Sequence, residues 1–155
     1  MSERAARRIL IVEDDPECRL LMSGLLASSG FRVDAVGDGH MALSLLEATP
    51  PDLVLLDIHL PDANGYDVCR AIKSSAHSRD IPVVLLTAYT ADEAREQGFA
   101  AGADEFVEKP YRAKELLSLI DQLLKIREAT RQLDLGEAQI IEALRLGVDG
   151  GGSGK

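Results

Sequence analysis

Tryptophan is absent from this chain, and three Phe with three Tyr supply all its aromatic side chains, so any core must be built from Leu, Ile, Val and Ala. Cysteine is scarce as well. Cys18 and Cys69 each fall inside a helical pattern, which fits two reduced thiols and excludes a disulfide framework or a cysteine-rich zinc site. Positive charge is in short supply: 17 Lys and Arg stand against 26 Asp and Glu, leaving a formal net charge of −9. Such a surface repels a phosphate backbone, so no direct nucleic-acid partner is expected. No apolar run reaches the ~18 residues of a membrane span. The stretch from Met1 to Arg8 leads into no cleavage-site pattern, so the chain reads as cytoplasmic, with no membrane partner. There is no internal repeat beyond a βα unit, and 155 residues suit one domain with little left over.

What the sequence does contain is an alternation. Short β-branched runs at Ile9–Val12, Phe31–Val36, Leu53–Leu56, Ile81–Leu86 and Glu105–Val107 are each followed by a helical pattern. Those patterns cover about Pro16–Ser28, Gly39–Glu47, Asn64–Ser74, Ala91–Ala101 and Ala113–Lys125. Five βα units of this kind predict a parallel sheet with helices on both faces. Most strands are continuous apolar runs, as expected when both faces are covered, while the second and fifth look like edges. Gly30 and Gly102 stand just past helix ends, where a left-handed cap favours glycine.

Polar residues follow four of the five strands: Glu13 and Asp14 with Asp15, then Asp57, Thr87 and Lys109. In open α/β sheets ligands sit beyond the carboxyl ends of the strands. In the common order 2-1-3-4-5 these four strands are neighbours, about 4.8 Å apart, and the four clusters converge. Carboxylates brought together repel one another unless a cation joins them, and a hard divalent ion such as magnesium is the natural solution. Asp14 and Asp57 would hold it directly and Glu13 through water. His59 is the one histidine near these strand ends, which argues against zinc. Asp57 could then attack phosphorus to form an acyl phosphate, with Thr87 and Lys109 covering two of the phosphoryl oxygens. Each residue also has a plain reading taken singly: Asp57 as a turn or cap, Glu13–Asp14–Asp15 before Pro16 as a helix start, Thr87 as a local hydrogen-bonding group, Lys109 as a solvated cation. Together those readings need four coincidences at one sheet edge.

The segments ILIVEDDP (Ile9–Pro16), DLVLLDIHLPDANG (Asp52–Gly65), PVVLLTA (Pro82–Ala88) and GADEFVEKP (Gly102–Pro110) resemble the receiver domains of bacterial two-component response regulators, over about Arg8 to Lys125. The resemblance implies a doubly wound (βα)5, flavodoxin-like fold. It also implies a signalling domain that catalyses only its own phosphorylation and dephosphorylation, with Mg2+ as cofactor and a sensor histidine kinase or histidine phosphotransfer protein as partner. Residue by residue, Asp57 matches the phosphoacceptor, Asp14 and Glu13 the acidic pair, Thr87 the switch hydroxyl and Lys109 the lysine of the site. His59 would offer its backbone carbonyl to the metal. Phe106 matches the aromatic switch position, and Pro110 the proline after a cis peptide bond. Tyr111 stands where Phe is common, and Tyr89 occupies a variable position beside the site.

Three other functions share parts of this pattern. A flavodoxin-like electron carrier needs glycine and hydroxyl donors where this chain has Glu13, Asp14 and Asp15. An aspartyl-phosphate hydrolase needs a second acid, for which His59 and Asp62 are the candidates at hand. A pseudo-receiver that binds partners without phosphorylation would not need the complete set of acids, threonine and lysine. The expected division is a receiver over 8–126, a helical extension over 127–149 and a flexible Gly/Ser tail over 150–155. Within the extension, Ala129–Leu146 carries an apolar stripe of Ile140, Ile141 and Leu144. A homodimer is an expected assembly, through the face of the fourth helix, fifth strand and fifth helix or through the extension.

Overall fold

Residues Arg8–Val12, Arg32–Val36, Leu53–Asp57, Val83–Thr87 and Glu105–Glu108 form strands β1 to β5. All four pairings are parallel, in the order β2-β1-β3-β4-β5. The computed structural model describes residues 3–88 and 92–150, and the chain divides after Leu124 into two units. Helices α1 (Pro16–Ser28), α2 (Gly39–Ala48), α3 (Gly65–Ser74), α4 (Asp92–Ala100) and α5 (Ala113–Gly150) alternate with the strands. The fold is the doubly wound (βα)5 arrangement, and β2 and β5 are its edges.

Side chains alternate across the sheet because a strand has a period of two. Leu10, Val12, Val54, Leu56, Val83 and Leu85 face one way and meet Ala42 and Leu46 of α2 and Val68, Cys69 and Ile72 of α3. Ile9, Ile11, Leu53, Leu55, Val84 and Leu86 face the other way, against Met22 and Leu26 of α1 and Leu116, Ile120 and Leu124 of α5. Every residue of β3 and β4 is buried, as the unbroken apolar runs require. Each fully buried Leu or Ile contributes roughly 1.5–3 kcal/mol, so the two layers supply most of the driving force. Cys18 and Cys69 are free thiols, and burial pushes that of Cys69 up to about 11.

Side-chain caps start the helices. Asp15 accepts from the Glu17 N–H at 3.0 Å ahead of α1, Asp38 from Met41 at 2.7 Å ahead of α2, and Asn64 from Tyr66 at 2.7 Å ahead of α3. Gly30 and Gly102 follow α1 and α4 with φ of 106° and 97°, in the left-handed region expected of them.

Two local features depart from the sequence reading, and the start of α4 lies partly outside the described residues. A short 3-10 turn at Glu3–Ala6 precedes β1, and its Arg4 pairs with Asp121, donates to the Ser29 carbonyl at 3.1 Å and lies 5.3 Å from the Phe31 ring centre. Helix α4 is described from Asp92; Ala91 and Tyr89 lie outside the described residues. The fifth helix does not end near Lys125 but runs on to Gly150, because Ile126–Leu135 contains neither proline nor glycine and is rich in good helix formers. Of the tail expected over 150–155, Gly150 ends α5 and the rest lies outside the described residues.

Candidate functional site

The strand order brings β1, β3, β4 and β5 side by side, and their C-terminal ends carry Glu13, Asp14, Asp57, Thr87 and Lys109. Glu13, Asp57 and Thr87 are buried, while Asp14 is exposed. Carboxylate oxygens of Glu13, Asp14 and Asp57 all lie within 4.8 Å of one another. Lys109 reaches in from the end of β5, its Nζ 2.5 Å from Glu13 Oε1 and 2.6 Å from Asp57 Oδ2. The other Asp57 oxygen, Oδ1, accepts the backbone N–H of His59 at 2.7 Å. Asp57 is thus fixed at both oxygens by different elements.

Burial pushes the Glu13 carboxyl above its ordinary range; the hydrogen bond from Lys109 pulls it back, and the charge of Asp57 adds to the rise. Burial also draws the Lys109 ammonium down, but its hydrogen bonds to Asp57 and Glu13, with their charges, outweigh that and hold it above the usual lysine value. One ammonium cannot balance three carboxylates. At an effective dielectric near 20, the buried pair Glu13 and Asp57, within 4.8 Å of each other, repel by about 3–4 kcal/mol, while solvent screens the exposed Asp14 more strongly. The donors are hard oxygens and one of them is open to solvent, which fits a small divalent cation that keeps several waters.

Thr87 is the last residue of β4, and its backbone carbonyl accepts the Lys109 N–H at 2.7 Å. With Ile58, His59, Asn64, Tyr66, Glu93, Ala94 and Gln97 it lines a cavity of about 250 Å³ between the end of β3 and α4. Phe106 is buried on β5, packed among the residues of the α3 side, with the Arg95 guanidinium 5.6 Å from its ring centre. The peptide bond between Lys109 and Pro110 is cis, as the motif implies. Glu13, Asp14, Asp57, His59, Thr87, Lys109 and Pro110 therefore lie at this end of the sheet, and Phe106 pairs with Leu85, two residues before Thr87.

Asp62 does something else. Its two oxygens accept the N–H groups of Gly39 and His40, both at 2.9 Å, and these bonds hold its carboxyl below the usual range. A carboxylate so occupied is a poor general acid, which removes it from the role a hydrolase would require of it.

Three contributors to the site carry little or no sequence signal. Arg19, one turn into α1, donates from Nη1 to the Glu13 carbonyl at 2.7 Å and braces the backbone of the acidic pair. Gly65 donates to the Ile58 carbonyl at 2.7 Å, and a Cβ there would stand 2.4 Å from the Asp57 carbonyl oxygen, so only glycine lets α3 start this close to the end of β3. Asn64 caps the same helix, and the Asn64–Gly65 pair is the one clue the sequence offers to this close approach.

The family model described as the response regulator receiver domain matches residues 9–121. The chain belongs to this family. The receiver is 38% identical over 136 residues to the DNA-binding response regulator MtrA of Mycolicibacterium smegmatis, covering 86% of this chain and 58% of that protein. It is 36% identical over 144 residues to the phosphate regulon transcriptional regulatory protein PhoB of Klebsiella pneumoniae, covering 93% and 61%. The chain thus spans about three fifths of the length of these curated relatives, and the DNA binding named for MtrA is a statement about that longer protein. Among solved structures, the receiver resembles the receiver domain of the sensor histidine kinase PA1611 from Pseudomonas aeruginosa, with a magnesium ion coordinated in its active-site cleft. That match has a TM-score of 0.72 at 32% identity and covers 77% of this chain and 98% of the other. A signal receiver domain of a histidine kinase from Syntrophus aciditrophicus matches with a TM-score of 0.73 at 35% identity, over 77% and 91%. Among the described residues of the receiver, no helix is long and apolar enough to cross a membrane.

Proposed function

We propose that this receiver takes a phosphoryl group onto Asp57 from a histidine kinase or a histidine phosphotransfer protein, with magnesium bound beside it. The observation that supports this most is the position of Asp57: buried at the end of β3, held at Oδ1 by the His59 N–H and at Oδ2 by Lys109, with Glu13 and Asp14 beside it. Asp14 and Asp57 would ligate the ion directly, Glu13 through water, and His59 through its backbone carbonyl. When bound, magnesium would neutralise charge on the phosphoryl oxygens and on the carboxylates.

A carboxylate oxygen of Asp57 forms the new O–P bond while the P–N bond of the donor phosphohistidine breaks. The electron pair of that bond returns to the imidazole, which takes up a proton. Lys109 carries its charge to a phosphoryl oxygen, and the Thr87 hydroxyl turns toward a second. Inward motion of Thr87 vacates space beside β4 for the Phe106 ring, which alters the surface of α4, β5 and the start of α5; Pro110 fixes the chain that leads into that surface. In this reading residues 8–126 are the receiver and 127–149 a helical extension, and the receiver acts in cytoplasmic signalling.

Incubation with magnesium and a small phosphodonor such as acetyl phosphate should add one phosphoryl group, seen as a single mass increment that chelation abolishes. Asp57→Asn should remain folded and unmodified. A full increment in that variant would remove Asp57 from its role.

A further inference from the structure

The part of α5 beyond Leu124 carries its own apolar series. The side chains that seat α5 on the sheet are Leu116, Ile120 and Leu124. Continued at helical spacing, that face meets Arg127, Arg131 and Asp134, so it stops being apolar. A second series begins instead with Ile126, Leu133 and Ile140, spaced by seven residues and 54%, 71% and 60% exposed. Ala129, Gly136 and Ala143 stand three residues after each of them. This is a seam of period 3.5, the period at which one helix stays in contact with another over several turns. Large apolar side chains left in water along one line are unusual on a solitary soluble helix.

The pattern along the seam selects the occupant. Large and small residues alternate, and they alternate symmetrically about the midpoint between Asp134 and Leu135. Laid antiparallel on itself about that point, the helix sets Ile126 against Ala143, Leu133 against Gly136 and Ile140 against Ala129. Each large side chain then meets a small one, and nothing lies within 4 Å of a Cβ built at Gly136, so the space that would receive Leu133 is open. A parallel pairing would instead stack Leu133 on Leu133 and leave Gly136 facing Gly136. Leu144, also exposed, borders the seam.

We propose that this helix is the docking surface for a second copy of the chain, paired antiparallel through Ile126, Leu133 and Ile140 against Ala143, Gly136 and Ala129. The pairing makes no use of the phosphoryl chemistry, so it stands or falls apart from the role of Asp57.

Sedimentation velocity of the full chain over a concentration series tests it. The unaltered chain should be a dimer that dissociates on dilution, and Leu133→Asp combined with Ile140→Asp should be monomeric throughout. Gly136→Leu separates docking from helix stability, because it strengthens the helix yet fills the space meant for Leu133; it should weaken the dimer at least about tenfold. With Ile126→Cys and Ala143→Cys together, oxidation should join position 126 of one copy to position 143 of the other, as read by peptide mapping. A chain that stays monomeric, a dimer that survives the double aspartate change, a stronger dimer in Gly136→Leu, or cross-links joining 126 to 126 would each overturn the proposal.

Discussion

The Tyr66 hydroxyl donates to the Ala94 carbonyl at 3.1 Å, joining α3, which begins behind Asp57, to α4. Tyr66 is buried and also borders the cavity beside Thr87. The bond therefore ties the helix that begins behind Asp57 to one flanking Phe106, across the space through which Thr87 is proposed to act. A neutral hydrogen bond of this type contributes about 1 kcal/mol. Tyr66→Phe should keep the fold and still accept phosphate, while the amides of α4 exchange roughly fivefold faster. Hydrogen exchange read by mass spectrometry measures this, and unchanged protection of α4 would show that the bond does not hold the helix.

The acidic cluster should be more strained without metal than with it. Asp14→Asn removes one of three mutually repelling carboxylates, and since Asp14 is exposed the gain is screened to about 1 kcal/mol or less. Thermal unfolding in chelator should show the variant equal to or above the unaltered chain. Added magnesium should raise the melting temperature of the unaltered chain and barely move that of the variant. A variant that gains as much from magnesium as the unaltered chain would take Asp14 out of the proposed ligand set.

Asp62 gives a pH signature. Its carboxyl is lowered in the folded chain by the Gly39 and His40 N–H groups, so its stabilisation is fully present above the unfolded value, about 3.9, and is lost as pH falls through the lower folded value. Asp62→Asn keeps one acceptor and cannot titrate. The difference in urea midpoint between the two chains should therefore be largest near neutrality and close as the pH drops below about 4. A difference that persists unchanged into acid would mean that Asp62 acts through shape rather than charge.

Two glycines should respond in opposite directions. A Cβ at Gly65 would stand 2.4 Å from the Asp57 carbonyl oxygen, whereas at Gly24, on the outer face of α1, nothing lies within 4 Å. Gly65→Ala should destabilise by roughly 1–3 kcal/mol and disturb phosphorylation at Asp57. Gly24→Ala should stabilise by roughly 0.5–1 kcal/mol, since a helix interior favours alanine. Denaturant midpoints decide both.

The strands were legible because β3 and β4 are buried on both faces, which leaves Leu53–Leu56 and Val83–Leu86 no polar positions to blur them. The site followed from them, since Asp57 and Thr87 are the first polar residues after those runs and the sheet order does the rest. Arg19 was not legible: its role rests on a guanidinium folding back to the Glu13 carbonyl from six residues along the chain, and many exposed helical arginines share that spacing without making the bond. Asp62 reads as a candidate acid because it follows Asp57 by five residues; only the packing of α2 beside that loop brings the N–H groups that occupy it. The length of α5 was hidden by a change of apolar face at Leu124, which looks in sequence like an end and in space is only a change of side.

The rung between the Thr87 carbonyl and the Lys109 N–H couples the last residue of β4 to the residue just beyond β5. A threonine and a lysine on separate loops would be two independent detectors, each free to answer a passing anion on its own. If both engage the phosphoryl group as proposed, the shared crossbar holds their two backbones at a fixed spacing, so a ligand that reaches one is already aligned with the other.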